Sequence, residues 1–583
     1  VQILADQTSV SLIGLGGPNA PAVLGKAIPA LAKMEPGELR QDGDLLAVQS
    51  PGVGKEIALI APAEQVQVIW TRLLEAGATP IGTEALDRLS KEAKLPTTGS
   101  PEPAGADLGR CLPAELLCVS KPWFVGQEAV VAGTATTSAP PPEHDFSKPE
   151  LPLRRTCLYG EHLKLTKKKF IVPFAGWEMP VWYEGIGAEH RAVRLGAGLF
   201  DVSHMGVLRV QGRHAERFLD LMTTNYVPWL KPGQCHYSYL LGPDGRVIDD
   251  IIVYREGADR FMVVINAANA EVDEAWLRAA LTGKVCLDPA APARRLDVDP
   301  GEVQLLDMKL DESLGEERRV DLALQGPASL PTLLRLAKDA DFARRLRELG
   351  RFTLTAGLLE DLPVVIAGTG YTGEDVGYEI FVHPERAPKL WNLILDTGRD
   401  LGVRPAGLGA RDSTRTEAGL PLHGHELAGA HGVNPLEAGY APFVRMHKPW
   451  FVGRAAMAAA LAARDREIVR FQVTPVGAKK VNPGNKVLDG KRGRYIGFVT
   501  SSVTIGRTQI GLALVDRRYS KVGEALAIFP RSERDKDPSP KPLSELGPGD
   551  ELPLAVEASI LARFAKPSDL HGFAAALAPT EEE

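Results

Sequence analysis

Long hydrophobic runs are missing from this chain: no stretch of about 18 uninterrupted apolar residues occurs, which argues against a membrane-spanning helix. A leader pattern is missing too, since the start, VQILADQTSV, has no basic stretch followed by an apolar one. That start also lacks methionine, as a processed or trimmed chain would. Charge of one sign is scarce: 67 basic against 74 acidic residues leave −7, spread along the sequence, and no general attraction to nucleic acid or an anionic membrane follows. Cysteine is sparse. The five, Cys111, Cys118, Cys157, Cys235 and Cys286, are scattered without a CxxC pair, which argues against a disulfide framework or a zinc site and fits a reducing, cytoplasmic setting. No GxGxxG opens a helix ahead of a lysine, so neither a nucleotide loop nor a flavin domain before residue 157 is expected. His423, His425 and His431 lack the HExxH spacing, and no metal is expected there.

What is present is ordinary globular material, 44% apolar and 24% charged, in a length of 583 residues that calls for several domains. KPWFVG occurs twice, at 121–126 and 448–453, 327 residues apart. IGTEALDRLSKEAKLP, ending at Pro96, matches AGLGARDSTRTEAGLP, ending at Pro421, at seven of sixteen positions. Unrelated segments of average composition would share roughly one. Upstream, GKEIALI aligns with GYEIFVH, placing Glu56 opposite Glu379, and IGLGGP ending at Pro18 aligns with LALQGP ending at Pro327. The matches keep their order at a slowly growing offset, which reads as a duplication whose first copy is only half a domain.

Composition then sets the boundaries. TATTSAPPPEHDFSKPELPLRR, rich in Pro, Ser and Thr, reads as a linker over 132–156. The partial copy spans 1–131, an α+β body 157–455, and a C-terminal domain 456–583 of short β-branched runs that predict an antiparallel barrel or sandwich with a polar insertion near 531–550.

The most informative segment is LGPDGRVIDDIIVYR at 241–255. PDG predicts a hairpin turn and VIDDIIVY a strand, on which Asp249 and Asp250 point to opposite faces. A carboxylate in apolar company serves a ligand or a fixed partner; the alternative is an edge strand with one Asp at a turn and the other solvated. In GYTGEDVGYEIFV, Glu379 offers two acceptor oxygens to an amidine-like edge or is an exposed strand residue. Arg411 and Arg415 enter a helix after a glycine-rich turn, where a guanidinium orients a ligand oxygen or pairs with a neighbouring acid. His204 and Met205 in DVSHMG read as core and turn.

In order, FAGWEMPVWY (174–183), HRAVR (190–194), LFDVSHMG (199–206), GQCHYSYLLGPDGRVIDDIIVY (233–254), NAAN (266–269), LALQGP, GYTGED (370–375), RPAGLGARDSTRTEAGLPLHGHEL (404–427), NPLEAG (434–439) and KPWFVGRAAM (448–457) resemble the aminomethyltransferase family, the T-protein of the glycine cleavage system. The resemblance implies a multidomain α+β folate-binding fold. It further implies transfer of a one-carbon unit from an aminomethyl group on a lipoyl carrier protein, the H-protein or its like, to tetrahydrofolate, with release of ammonia. Asp250 matches the family's catalytic acid against the folate, Glu379 the acid at the pterin edge, and Arg411 an arginine fixing the pterin. Met205, Tyr237 and Tyr371 match residues lining the folate channel.

The chain also departs from the pattern. GEDVGYE has one residue more than GEDGYE, His423 stands where Tyr is common, the stretch 289–319 is long, and the insertion at 531–550 splits the C-terminal strand, so that the sequence does not place the family's C-terminal helper residues. In the first copy Leu86 replaces Arg411 and the half carrying Asp250 is absent, which predicts a packing or interaction role. Two rival functions remain on the same resemblance: a folate-dependent demethylase forming 5-methyl-tetrahydrofolate, and a non-catalytic folate-binding scaffold.

Overall fold

The computed structural model describes residues 10–15, 20–34, 39–42, 45–49, 57–62, 65–78, 141–292, 294–446, 448, 450–530, 545–547, 549–553 and 556–575. They fall into two compact units, the first drawn from Val1–Glu143, Gly283–Asp297 and Arg445–Arg454, the second from the remainder. The first KPWFVG and Leu86 lie outside the described residues.

In the first unit, strands β1 (Val10–Leu15), β2 (Leu39–Asp42), β3 (Leu45–Gln49) and β4 (Ile57–Pro62) form an antiparallel sheet in the order β1-β4-β3-β2. Helices α1 (Ala20–Ala27) and α2 (Val66–Glu75) bring Leu24, Ile69 and Leu73 into one core with Leu45, Ala47 and Leu59. The alternation of buried Leu45 and Ala47, and of Ile57, Leu59 and Ala61, is the period-two pattern of a sheet covered on one face.

In the second unit a short helix (Tyr159–Leu165) precedes a hairpin of β5 (Ile171–Phe174) and β6 (Trp177–Pro180), followed by helix α3 (Ile186–Leu195) and strand β7 (Ala197–Asp201). Strands β8 (Gly206–Gln211), β9 (Gln234–Leu241), β10 (Val247–Arg255), β11 (Arg260–Ile265) and β12 (Gln304–Asp307) make a five-stranded antiparallel sheet in the order β12-β8-β11-β10-β9. Helix α4 (Ala270–Leu281) follows β11. The predicted PDG turn does join β9 to β10, and β10 lies inside the sheet, so the edge-strand reading of the two aspartates fails.

A six-stranded sheet follows: β13 (Val320–Gln325), β14 (Leu354–Leu359), β15 (Leu362–Ala367), β16 (Gly377–Val382) and β17 (Val403–Ala406) join β7 in the order β14-β15-β16-β13-β7-β17. Helices α5 (Ser329–Leu336) and α6 (Ala387–Thr397) bury Leu333, Leu390 and Trp391 against it. From β13 to α6 the strand order β13-β16-β15-β14 repeats that of β1 to α2. The register is not the same: Ala323 faces Glu379 in β13–β16, while its aligned counterpart Gly14 faces Ala58 in β1–β4. Across these ladders the two sequence matches are two residues out of step; Glu56, which aligns with Glu379, lies outside the described residues.

Helix α7 (Leu408–Ala418) ends at Gly419, whose φ of 84° is the left-handed region and whose absent side chain admits the Arg563 carbonyl. Strands β18 (Arg466–Val473), β19 (Lys486–Asp489), β20 (Tyr495–Ile505), β21 (Thr508–Asp516), β22 (Ala525–Phe529) and β23 (Val556–Leu561) close into an antiparallel barrel. The expected barrel-or-sandwich is thus a barrel, filled by Phe471, Val487, Val515 and Ile528. Among the described residues no helix is long and apolar enough to cross a membrane.

Candidate active site

Two acids organise the five-stranded sheet. On β10 the alternation puts Asp249 and Asp250 on opposite faces, and the structure gives both faces an occupant. Asp249 is fully buried: one oxygen accepts from the Asn266 backbone at 2.7 Å, the other from the Asn266 and Asn269 side-chain amides at 2.8 and 2.5 Å. The second acid, Asp250, is half-buried and faces the opposite way. The Tyr237 hydroxyl donates to it at 2.8 Å and the Asn266 amide at 3.0 Å, so Asn266 clamps both acids at once.

Burial and the neighbouring Asp249 charge push the Asp250 carboxyl up to about 6, against the opposing pull of His423, Tyr237 and Asn266. Behind them, Asp273 of α4 is buried with neither oxygen receiving a donor, and burial together with Asp249 raises its carboxyl well above the usual range. Its neutral form is thereby favoured beside the Asp249 carboxylate.

Aromatic rings build the wall beside Asp250. Tyr237 lies 5.3 Å from Tyr440 and 5.0 Å from Phe443, and Tyr440 lies 5.4 Å from Phe564. Such rings supply a flat apolar surface suited to a heterocycle. Next to Phe564 stands Arg563, whose Nε and Nη1 are buried without an acceptor and whose guanidinium is pulled down to about 10 by burial. Sequence reasoning missed Arg563 because the polar insertion near 531–550 separates it from the rest of the barrel. Tyr371 carries the Arg411 guanidinium over its ring at 5.0 Å and donates its hydroxyl to the Pro421 carbonyl.

The arginine question has two answers. Arg415 pairs with Asp412 and Glu426, and the latter also accepts from Ser501 of the barrel, so this guanidinium ties α7 to β20. Arg411, one turn earlier, has no carboxylate within ion-pair distance among the described residues and stays available over Tyr371.

Glu379 is buried on β16, where one oxygen accepts from the Tyr254 hydroxyl at 2.7 Å and from Thr369 at 2.5 Å. Tyr254 stands four residues after Asp250 on the same face of β10, so one strand positions both acids of the site; that periodicity was available to find it. Met205 fills the space between the two sheets, packed against clusters that contain Val207 and Phe381 on one side and Phe200 and Ala323 on the other. His204 is core, as its neighbours imply: burial lowers its imidazole to about 3. Asp250 and Tyr237 are thus joined directly, Tyr371 and Arg411 by stacking, and Glu379 and Met205 through the strands behind them.

The profile of the GCVT N-terminal domain family matches residues 161–448. The aminomethyltransferase of Desulfitobacterium hafniense strain Y51 is 36% identical over 388 residues, covering 66% of this chain and 96% of that protein. The chain belongs to the aminomethyltransferase family. A second relative, the aminomethyltransferase of Moorella thermoacetica, is 38% identical over 367 residues, 62% of this chain and 90% of that protein. In structure, the glycine cleavage system aminomethyltransferase T from Bartonella henselae superposes with a TM-score of 0.55 at 28% identity, covering 70% of this chain and 97% of that one. The aminomethyltransferase region thus contains every acid, aromatic and arginine of the site up to Tyr440, Phe443 and His423, and the match to whole relatives is what identifies the chain as a transferase.

Proposed function

We propose that this chain transfers the carbon of an aminomethyl group, carried as a thioether on a lipoyl protein, to tetrahydrofolate with release of ammonia. The observation that carries the reading is Asp250: an acid poised near neutrality, pinned by Tyr237 and Asn266, at the foot of an aromatic wall. Tetrahydrofolate supplies the two nitrogens that take the carbon. The residues fit such an acceptor. Tyr237, Tyr440 and Phe443 offer ring surface, Glu379 a carboxylate held by Tyr254 and Thr369, Arg411 and Arg563 cationic donors, and Met205 and Tyr371 apolar lining.

In the balanced transfer the carbon–sulfur bond and the carbon–ammonia bond break and two carbon–nitrogen bonds form. Of the two protons lost from the acceptor nitrogens, one goes to the lipoyl sulfur and the other leaves on ammonium. An ionised Asp250 stabilises the positive charge that develops on the carbon as its bonds break, and a carboxyl poised near 6 can also accept one of those protons in passing. We further propose that residues 1–131 are a non-catalytic partial copy, 132–156 a linker, 157–455 the folate-binding body and 456–583 the barrel domain.

The test is to give the purified protein tetrahydrofolate and an aminomethyl-lipoyl carrier and to analyse products. Methylene-tetrahydrofolate with ammonia supports the proposal. Formation of 5-methyl-tetrahydrofolate from a methylated donor would move the reaction to demethylation, and tight folate binding without turnover of either donor would leave a scaffold.

A further inference from the structure

The stretch read from composition as a linker does not run free of the body. Residues 144–148 lie across α4, where His144 and Phe146 pack on the buried Trp276 ring at 5.2 and 5.1 Å and the Arg246 guanidinium covers Phe146 at 5.0 Å. Asp145 turns the chain by accepting from the Ser147 backbone at 2.9 Å. This anchoring delivers Lys148, whose Nζ donates to Asn269 Oδ1 at 2.7 Å.

From there the bonds run without a gap. With its oxygen held by Lys148, Asn269 must turn its amide nitrogen to Asp249, at 2.5 Å. Asp249 shares the Asn266 amide with Asp250, at 2.8 and 3.0 Å. An asparagine side chain can present either end to a carboxylate, and a cation on its oxygen selects the donor end. The segment lies ahead of residues 161–448, the part that the family match covers.

We propose that Lys148, brought by the segment between the two copies, is a positioning residue for the transfer reaction: it fixes Asn269, and through Asn269 and the Asp249–Asn266 clamp it sets the orientation of Asp250. The segment thus completes the active site from behind. This rests on the aminomethyl-transfer reading only for its activity readout. The groups that face the chain of bonds are Asp249 and Asp250 on β10, Asp273 on α4, Tyr237 on β9 and His423 after α7; the Lys148 charge favours the ionised form of Asp273.

The experiment uses the full chain with Lys148→Met, Lys148→Arg, Asn269→Ala and the double variant Lys148→Met/Asn269→Ala. Lys148 is exposed and its loss removes one charge-assisted bond, so kcat is expected to fall about three- to tenfold in Lys148→Met, with KM for tetrahydrofolate within about twofold. Lys148→Arg restores kcat, and the double variant is no slower than Asn269→Ala, because the lysine acts through the asparagine. Tetrahydrofolate affinity by calorimetry between about pH 5 and 8 needs no turnover, and its acid-side midpoint is expected to move upward in Lys148→Met. Wild-type kcat and an unmoved midpoint in Lys148→Met, or losses that add in the double variant, would overturn the role of Lys148. A wild-type chain that makes no methylene-tetrahydrofolate would instead sink the functional reading, and the calorimetric midpoint would still decide for or against Lys148.

Discussion

Asp250→Asn separates the chemical role of this acid from its cost to the fold. The substitution keeps the shape and one acceptor oxygen while removing the charge. If the carboxylate stabilises a developing cation, turnover falls about 100- to 1,000-fold, the usual loss when one preorganised electrostatic partner is removed. Stability moves the other way. In the folded chain the Asp250 carboxyl is raised from 3.8 to about 6 by burial and by Asp249. Below the unfolded value both states hold the proton and the group contributes nothing. As pH rises from about 4 to 6 the unfolded chain ionises first and is favoured; above the folded value the penalty is constant. Two units at about 1.4 kcal/mol each set a ceiling near 3 kcal/mol, and partial solvent access at Asp250 brings this to about 1–2 kcal/mol. Asn cannot ionise, so Asp250→Asn should match wild type near pH 4 and melt about 2–5 °C higher at pH 7.5. Thermal melts across pH, beside single-turnover assays of methylene-tetrahydrofolate, provide the readouts. A variant of wild-type activity, or one destabilised at pH 7.5 but not at pH 4, would refute the assignment.

Tyr237→Phe removes the hydroxyl that donates to Asp250 at 2.8 Å. The acid limb of the pH–rate profile should rise by about half a unit and kcat fall several-fold, since a lost hydrogen bond to the ionised form favours the neutral one; an unshifted limb counts against the pairing. Glu379→Gln keeps an acceptor toward Tyr254 and Thr369 but removes the charge and replaces the second acceptor oxygen by a donor. Tetrahydrofolate Kd by calorimetry should rise about tenfold with little change in melting temperature, and unchanged affinity would remove Glu379 from the folate site. Gly419→Ala places a methyl group against the Arg563 carbonyl at a φ of 84°. A loss of about 2–4 kcal/mol in denaturant unfolding, with weaker tetrahydrofolate binding, is expected because β23 and Arg563 must shift; a neutral effect would show that this junction is loose.

How far the site could be read beforehand depended on whether its chemistry was local in the chain. Strand alternation put Asp249 and Asp250 on opposite faces, and the PDG turn fixed their hairpin, because both are short-range consequences of backbone geometry. The same alternation reaches Tyr254 and, through it, Glu379. What short-range rules cannot decide is which face is buried and against what, because that depends on where β10 stands in its sheet and on which helix covers it. Asp273 was invisible for this reason: a lone acid on α4 reads as a solvated helix residue until Asn269 and Asp249 are brought beneath it. Arg563 was hidden behind an insertion that interrupts the barrel. The segment at 144–148 misled in the opposite sense. Proline and polar residues predict a lack of regular structure, which is what 141–150 shows, but composition does not report a lack of partners. His144, Phe146 and Lys148 each find one on α4 or at its cap, so a stretch whose composition marks it as a spacer also carries specific contacts to the body.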